Sequence, residues 1–198
     1  FERIAEKWEE ISLGLYDHSI VNKLIDSSLL NKHMTVLDYG AGDGFISRGI
    51  ASHVGKIVAM DMSVSMLDEL DRKANQQGIT NILTVECEES EVPLRDSRID
   101  LVCASMILHH IEFPGDIVQE FYRVLKPGGT LFIADLLPHN DEEFQKSMHD
   151  YHRGINPVAL EQWLLDVGFG NINIEQLPDV GKERKNIFVL TAVKVEQA

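Results

Sequence analysis

The fold of this chain is decided by a stretch near residue 40, which reads Val36-Leu37-Asp38-Tyr39-Gly40-Ala41-Gly42-Asp43-Gly44. An apolar run that ends in closely spaced glycines is typical of the first strand-to-helix turn of a doubly wound α/β fold. Glycine accepts positive φ angles and lets a ligand approach the backbone closely. We therefore predict a ligand-binding turn at the carboxyl end of the first strand.

Short apolar runs and segments with helical periodicity alternate along the rest of the chain. Continuous apolar strands separated by helices are typical of a parallel sheet that is covered on both faces. We predict a doubly wound, Rossmann-like α/β fold with a mostly parallel seven-stranded sheet, helices on both faces and an N-terminal helical cap over residues 1–30. The predicted strands span residues 34–39, 56–61, 82–86, 99–104, 130–137, 172–177 and 186–193.

Acidic residues outnumber basic ones, because 32 Asp and Glu residues stand against 18 Lys and Arg residues and give a formal net charge of −14. Nucleic acids and anionic membranes are bound largely through Lys and Arg, so we expect neither as a partner. Two cysteines, Cys87 and Cys103, are too few for a disulfide framework or a zinc set and are typical of a reducing compartment. We expect a cytoplasmic protein that binds a small molecule.

The acidic residues around the turn indicate which class of ligand it binds. Asp38 and Asp43 flank the glycines, and Phe45 stands where a dinucleotide-binding turn has its third glycine. Two carboxylates would repel a pyrophosphate at a helix N-terminus, so the pattern favours a cationic or zwitterionic ligand. Asp61 ends the second predicted strand, where a carboxylate can accept hydrogen bonds from both hydroxyls of a ribose.

Five segments between residues 34 and 137 follow the order and spacing of one known family. They read Leu37-Asp38-Tyr39-Gly40-Ala41-Gly42-Asp43-Gly44, Asp61-Met62-Ser63-Val64-Ser65-Met66-Leu67, Val92-Pro93-Leu94 through Asp100-Leu101-Val102, Leu108-His109-His110, and Arg123-Val124-Leu125-Lys126-Pro127-Gly128-Gly129. Together they resemble the class I S-adenosylmethionine-dependent methyltransferases, most of all the small-molecule branch with quinone-biosynthesis-like members. The resemblance implies a single domain, made of the cap (1–30), a cofactor-binding core (31–137), an insertion (138–156) and a C-terminal helix and strand pair (157–198).

What the resemblance implies about function is methyl transfer from S-adenosyl-L-methionine to a small-molecule acceptor by in-line displacement, with S-adenosyl-L-homocysteine as the product. In the family pattern Asp38, Gly40 and Gly42 surround the amino group and the sulfonium arm of the cofactor. Asp61 holds the ribose, and Met62 packs beside the adenine. The other implied cofactor-binding residues are Tyr39 and Ala41 in the turn, Glu88 and Glu89 at the adenine, and Ala104 and Ser105 under the methionine end.

Histidines are the candidates for chemistry beyond cofactor binding. His110 and His109 follow the fourth strand, and either is a candidate general base for a phenol or hydroxyl acceptor. The alternative is that their side chains fix the loop by hydrogen bonding. His139, His149 and His152 lie in the insertion, where the spacing places the last two on one face of a predicted helix. A solvated polar helix explains this group more simply than a metal does, and we predict no metal site.

Two other function classes are compatible with parts of the sequence. One is a non-catalytic protein that binds S-adenosylmethionine or S-adenosylhomocysteine, because a fold alone does not fix a function. The other is a nicotinamide-dependent oxidoreductase, which Phe45 and the acidic turn disfavour. Retention of the whole apparent cofactor set favours the methyltransferase.

Overall fold

The computed structural model describes residues 19–178 and 186–195. The chain divides into two compact units, one ending at Glu88 and the other beginning at Glu89. The described helices are α1 (Ser19–Asp26), α2 (Phe45–Ile50), α3 (Val64–Gln76), α4 (Pro114–Val124), α5 (Glu142–Met148) and α6 (Pro157–Val167). The strands are β1 (Thr35–Tyr39), β2 (Lys56–Asp61), β3 (Ile82–Glu86), β4 (Ile99–Ser105), β5 (Leu125–Leu136), β6 (Phe169–Gln176) and β7 (Ile187–Lys194).

Three parallel strands form the sheet of the first unit, in the spatial order β3-β2-β1. Ile57 of β2 pairs with Val36 of β1 on one side and with Ile82 of β3 on the other. Both Val36 and Ile57 are fully buried, as the near-continuous apolar runs of these strands predict for a parallel sheet. The register brings the ends of β1 and β2 together at Tyr39 and Met60, directly before the glycine-rich turn and Asp61.

The helices of the first unit pack through the apolar faces that the sequence predicts. In α1, Ile20, Val21 and Leu24 are buried, and a Cβ placed on Gly49 of α2 would lie 2.7 Å from Val21 Cγ1. The second helix of the predicted cap is therefore present and packs closely on α2. The first predicted cap helix falls within residues 1–18 and lies outside the described residues, so the covering role of the cap stays a prediction.

Four strands belong to the second unit, in the spatial order β4-β5-β7-β6. β4 and β5 are parallel, whereas β7 pairs antiparallel with both β5 and β6. β5 begins at Leu125, five residues before the prediction, because the Pro127-Gly128-Gly129 segment continues the strand instead of only ending α4. The seven strands of the two units, mostly parallel within each unit, and their helices confirm the predicted α/β fold class.

Local signals fix the helices of the second unit. The Asn156 side chain accepts a hydrogen bond from the Val158 N–H at the start of α6, and Gly168 closes the helix with a φ of 111°. In the insertion, Asp141 caps α5 in the same way through the Phe144 N–H. The prediction of one helix carrying His149 and His152 is wrong, because α5 ends at Met148 and His149 takes a left-handed φ of 59°.

The described helices include none long and apolar enough to span a membrane.

Candidate functional site

The glycine-rich turn of the first unit has left-handed backbone at alternate residues. Gly40, Gly42 and Gly44 have φ angles of 69°, 53° and 84°, a conformation that side-chain-bearing residues rarely adopt. The Ala41 N–H donates to Met60 O at 2.9 Å, which ties the turn to the end of β2. Gly40 and Gly42 thus offer backbone without Cβ atoms, which suits the close approach of a ligand, whereas Gly44 faces Leu70 of α3.

Asp61 connects the turn to the start of α3. Its Oδ2 accepts a hydrogen bond from the Gly42 N–H at 2.8 Å, and its Oδ1 accepts one from the Ser63 N–H at 2.9 Å. A carboxylate oxygen can accept more than one hydrogen bond, so these two bonds do not by themselves prevent Asp61 from accepting bonds from ligand hydroxyls. Asp61 is partly exposed, and the neighbouring Met62 is 60% exposed. Glu88, also exposed, follows β3 in the same unit.

Asp38 is buried at the end of β1, next to Tyr39, and has a partner that the sequence analysis missed. Its Oδ2 accepts hydrogen bonds from both the N–H and the Oγ–H of Ser47, at 3.0 and 2.6 Å. Burial raises the pKa of Asp38 to about 6, although the bonds from Ser47 lower it; the nearby charge of Asp61 raises it further. The raised pKa means that the ionised form would gain from a cationic partner.

The second acid of the turn, Asp43, has a structural role. It is buried, and its Oδ2 lies 2.7 Å from Lys73 Nζ on α3 and 3.9 Å from Arg48 Nη2 on α2. Lys73 also lies 3.6 Å from Glu69 Oε1. These cations face Asp43 rather than a ligand, so they do not make the turn a phosphate site. The carboxylates of Asp38 and Asp61 accept hydrogen bonds and attract positive charge, so they fit a zwitterionic nucleoside and do not fit a pyrophosphate.

In the second unit, the predicted cofactor residues lie at the end of β4 or precede this strand. Ala104 is buried and Ser105 is partly exposed at the carboxyl end of β4. The exposed Glu89 accepts a hydrogen bond from the Glu112 N–H at 3.2 Å through its side chain. This bond links Glu89 to the segment that follows the histidines, a contact that the spacing of the sequence does not reveal.

His109 is held by a buried carboxylate at the end of β5. Its Nδ1 lies 2.6 Å from Asp135 Oδ1, while Asp135 Oδ2 accepts the Leu108 N–H at 2.9 Å. Burial lowers the pKa of His109, but the charge and hydrogen bond of Asp135 and the charge of Asp150 outweigh it, so the pKa lies above its usual value. His109 is thus hydrogen-bonded to the end of β5, as the alternative interpretation of the sequence expects, and its catalytic role stays a prediction.

His110 lies beside a second buried acid, Asp150. Its Nδ1 is 3.0 Å from Asp150 Oδ1, and its side chain is 15% exposed whereas that of Asp150 is fully buried. Among the described residues, neither oxygen of Asp150 accepts an aligned hydrogen bond. The sequence analysis did not foresee that Asp135 and Asp150 are the partners of His109 and His110. The available signal was an acid at the end of an apolar strand in the first case and an acid next to His149 in the second.

Within the described part of the chain, the histidines of the insertion do not join in one cluster. His152 donates its backbone N–H to His109 O at 3.0 Å, and its Nε2 lies 3.0 Å from Ile111 O. His149 is exposed, and His139 Nδ1 accepts the Asp141 N–H at 3.3 Å. Thus His152 joins the insertion to the loop after β4, and the three histidines named in the sequence analysis do not share one helix face.

Comparison with known proteins adds to this geometry. A family model described as "Methyltransferase domain" matches residues 37–133, which include the glycine-rich turn, Asp61 and both loop histidines. A ubiquinone biosynthesis O-methyltransferase of Coxiella burnetii is 26% identical over 88% of this chain and 81% of its own length.

Two solved structures with the same fold are methyltransferases by description. An S-adenosylmethionine-dependent methyltransferase from Aquifex aeolicus is 25% identical, with a TM-score of 0.74 over 96% of this chain and 98% of its own. A Haemonchus contortus phosphoethanolamine N-methyltransferase, solved with phosphomonomethylethanolamine and S-adenosylhomocysteine, is 18% identical. Its TM-score is 0.77 over 90% of this chain and 53% of its own.

Proposed function

Because the chain belongs to the class I S-adenosylmethionine-dependent methyltransferases, we propose that it methylates a small-molecule acceptor by in-line displacement. The observation that carries the proposal is the bond from the Gly42 N–H to the Asp61 carboxylate, which aligns the glycine-rich turn with an acid suited to a ribose. The enzyme class and the cofactor follow from the family, whereas the acceptor and the geometry of transfer are the content of the proposal.

The residues of the first unit would bind the cofactor by charge and shape. The Asp61 carboxylate would accept the ribose hydroxyls, and the Asp38 carboxylate would face the positive methionine end, because its raised pKa favours a cationic partner. Exposed Met62 would cover the adenine. The remaining proposed cofactor residues are Tyr39, Gly40, Ala41, Gly42, Glu88, Glu89, Ala104 and Ser105.

The cofactor, when bound, supplies a methyl group on an already activated sulfonium. The protein therefore contributes mainly alignment and exclusion of water, and alignment alone can be worth about 7–11 kcal/mol. The hydrogen bonds from Ser47 to buried Asp38, and from two backbone N–H groups to Asp61, would hold these carboxylates in place for such alignment.

We propose a hydroxyl group as the acceptor, in keeping with the O-methyltransferase to which the chain is similar. A hydroxyl must lose its proton as the methyl group is transferred, so the site needs a group that promotes this loss. His110 suits this role because its ring is partly exposed, whereas buried His109 acts as a positioning residue held by Asp135. The net charge of −14 supports a small acceptor over a nucleic acid.

Radiolabelled methyl transfer tests the proposal. The protein is incubated with S-adenosylmethionine labelled in the methyl group and a panel of small phenols, catechols and alcohols, and the extracted products are counted. We expect labelled product with the parent and much less with Asp61→Ala, while Asp68→Ala, an exposed change on α3, serves as the control.

Calorimetric titration distinguishes the methyltransferase from the two alternative functions, a non-catalytic binding protein and an oxidoreductase. Tight binding of S-adenosylhomocysteine without transfer to any acceptor class would indicate the non-catalytic binding protein. Binding of NADH in its place would indicate the oxidoreductase. Neither alternative is favoured by the family match, which is to methyltransferases.

A further inference from the structure

Three side chains of the second unit converge at one point. His109, His110 and Asp150 each offer a ligand atom, and these atoms all lie within 4.8 Å of one another. His109 Nε2 is 4.0 Å and His110 Nδ1 is 3.0 Å from Asp150 Oδ1. Ligand atoms bound to one metal ion at about 2.0–2.2 Å lie roughly 3–3.5 Å apart, so small rotations of these rings would complete the set.

Asp150 is the group that most needs an explanation. Its side chain is fully buried, yet neither carboxylate oxygen receives a hydrogen bond from the described residues. A buried carboxylate is costly unless it is paired, hydrogen-bonded or coordinated to a metal. The contact with His110 Nδ1 has the distance of an ion pair but lacks the alignment of a hydrogen bond. A cation between the rings and the carboxylate would satisfy both oxygens.

His109 is already oriented as a metal-binding histidine is. Its Nδ1 faces the buried Asp135 carboxylate at 2.6 Å, which leaves Nε2 directed toward Asp150. A carboxylate that holds the far nitrogen of a histidine fixes the tautomer and raises the basicity of the nitrogen that binds the metal. Asp135 is itself fixed, because it accepts the N–H groups of Leu108 and Leu136.

Hydrogen bonds to the backbone also hold the segment of Asp150 against the histidine pair. His152, two residues after Asp150, donates its N–H to His109 O and places its ring at Ile111 O. The insertion is therefore anchored on both sides of the histidine pair. Asp150 is positioned by these bonds before any ion arrives, so little ordering accompanies binding.

We propose that His109 Nε2, His110 Nδ1 and the Asp150 carboxylate bind a divalent transition metal ion such as Zn²⁺. Two imidazoles and a carboxylate suit Zn²⁺, Mn²⁺ or Fe²⁺ better than Mg²⁺ or Ca²⁺, which prefer oxygen ligands. Three protein ligands leave a coordination position open, and the partly exposed His110 side chain gives the ion a route from solvent. The inference goes beyond the proposed function, because binding needs neither S-adenosylmethionine nor an acceptor.

Metal titration of the full chain tests the site. Protein stripped with EDTA and dialysed is titrated with Zn²⁺ by calorimetry, with Mg²⁺ in a parallel titration, and the bound metal is counted by mass spectrometry. We expect a single Zn²⁺ per chain, no comparable binding of Mg²⁺, and a rise in Tm on addition of Zn²⁺. Co²⁺ provides a second readout, since its visible absorption reports coordination by nitrogen and oxygen.

Three variants and one control show where the ion binds. Asp150→Asn and His110→Ala remove ligands and should abolish the Tm rise, whereas Asp135→Asn should weaken binding by about 10–100-fold through His109 alone. His149→Asn removes an exposed histidine of the same loop while an asparagine tolerates its left-handed backbone, so it should bind Zn²⁺ as the parent does.

The Tm of the metal-free protein shows whether each variant is folded. Asp150→Asn removes a buried charge without aligned partners, so the stripped variant should be no less stable than the stripped parent. The proposal is overturned if the stripped parent does not bind Zn²⁺, or if the folded Asp150→Asn and His110→Ala variants bind it as tightly as the parent. Methyl transfer enters none of these measurements, so a failure of the proposed function would be seen separately.

Discussion

Lys73 Nζ lies 2.7 Å from Asp43 Oδ2, and both side chains are buried. The pair joins the glycine-rich turn to α3, so it fixes the turn relative to the helix that follows Asp61. The two residues differ in the ion partner that each retains when the other is removed. Lys73 retains Glu69 at 3.6 Å if Asp43 is lost, whereas Asp43 retains the more distant Arg48 at 3.9 Å if Lys73 is lost.

Removing the cation should therefore cost more than removing the anion. We expect Lys73→Met to lower the free energy of unfolding by about 3–5 kcal/mol, because it removes the nearest cation from a buried carboxylate and leaves it the more distant Arg48. Asp43→Asn should cost less, because Lys73 keeps Glu69. Urea unfolding followed by circular dichroism measures both variants. In the double variant the losses should be less than additive, and additive losses would show that the pair is not coupled.

The fold could be predicted from the sequence because its signals are local. Apolar runs mark the strands, and residues such as Ser63 and Asn156 mark helix starts through bonds that span two or three residues. The insertion was predicted less well. His149 and His152 have helical spacing, but the helix ends earlier at a left-handed residue that is not glycine, and spacing alone does not reveal that.

The site was predicted from the sequence only in part, because its key contacts join distant residues. The turn and Asp61 form a recognisable pattern at strand ends. The partners of Asp38, His109 and His110 could not be recognised, since Ser47, Asp135 and Asp150 are brought to them by packing. Asp43, an unusual acid in the turn, is explained only by Lys73, 30 positions later.

Cofactor affinity should depend on pH through Asp38. In the free protein burial raises the pKa of Asp38 to about 6, and the positive amino group of a bound cofactor would lower it again. Binding then favours the ionised carboxylate, so affinity for S-adenosylhomocysteine should rise by up to about tenfold between pH 5 and pH 7. Calorimetric titrations at pH 5, 6 and 7 measure this change.

Asp38→Asn supplies the matched control for that titration. An asparagine can still accept a hydrogen bond from Ser47, but it has no proton to lose, so the affinity of the variant should be flat over this range. Ionisation of the buried carboxyl group also disfavours the folded state. As the pH rises from 4 to 6, the free energy of unfolding of the parent should therefore fall relative to that of the variant. Equal pH dependence of binding in both proteins would show that Asp38 does not face the methionine end of the cofactor.

The ribose assignment of Asp61 can be tested apart from its structural bonds. Each charge-assisted bond to a ribose hydroxyl is worth about 1.5–3 kcal/mol, so Asp61→Ala should weaken S-adenosylhomocysteine binding by about tenfold or more. An analogue that lacks the 2′ and 3′ hydroxyls should bind the parent weakly and lose little further affinity in the variant. If the variant weakens both ligands equally, Asp61 acts through Gly42 and Ser63 rather than through the ribose.

His110 should affect turnover more than cofactor binding. Groups that assist proton transfer contribute about 100-fold or more, so His110→Ala should lower kcat by about that factor on a hydroxyl acceptor and leave S-adenosylhomocysteine affinity within about twofold. His149→Asn, an exposed change that suits the left-handed backbone at this position, controls for the loss of an imidazole. Unchanged kcat in a folded His110→Ala variant would remove this residue from the reaction.

Gly44 offers a test of how tightly the turn is packed. Its φ is +84°, and a Cβ there would lie 2.5 Å from Leu70 Cγ on α3. Gly78 provides a matched site, because its φ is +69° but its Cβ would meet nothing within 4 Å. Both glycines therefore share the backbone strain, and only Gly44 adds a steric conflict.

We expect Gly78→Ala to lower the free energy of unfolding by about 1–2 kcal/mol, the cost of a left-handed backbone for a residue with a Cβ. Gly44→Ala should cost about 1–3 kcal/mol more, because Leu70 must move from a packed position. It should also weaken S-adenosylhomocysteine binding, since the displaced turn carries Gly42 away from Asp61, whereas Gly78→Ala should leave binding unchanged. Urea unfolding and calorimetry measure the two effects. Equal destabilisation by the two substitutions would mean that α3 yields to the extra methyl group, and the turn would then be less rigid than its contact with Leu70 implies.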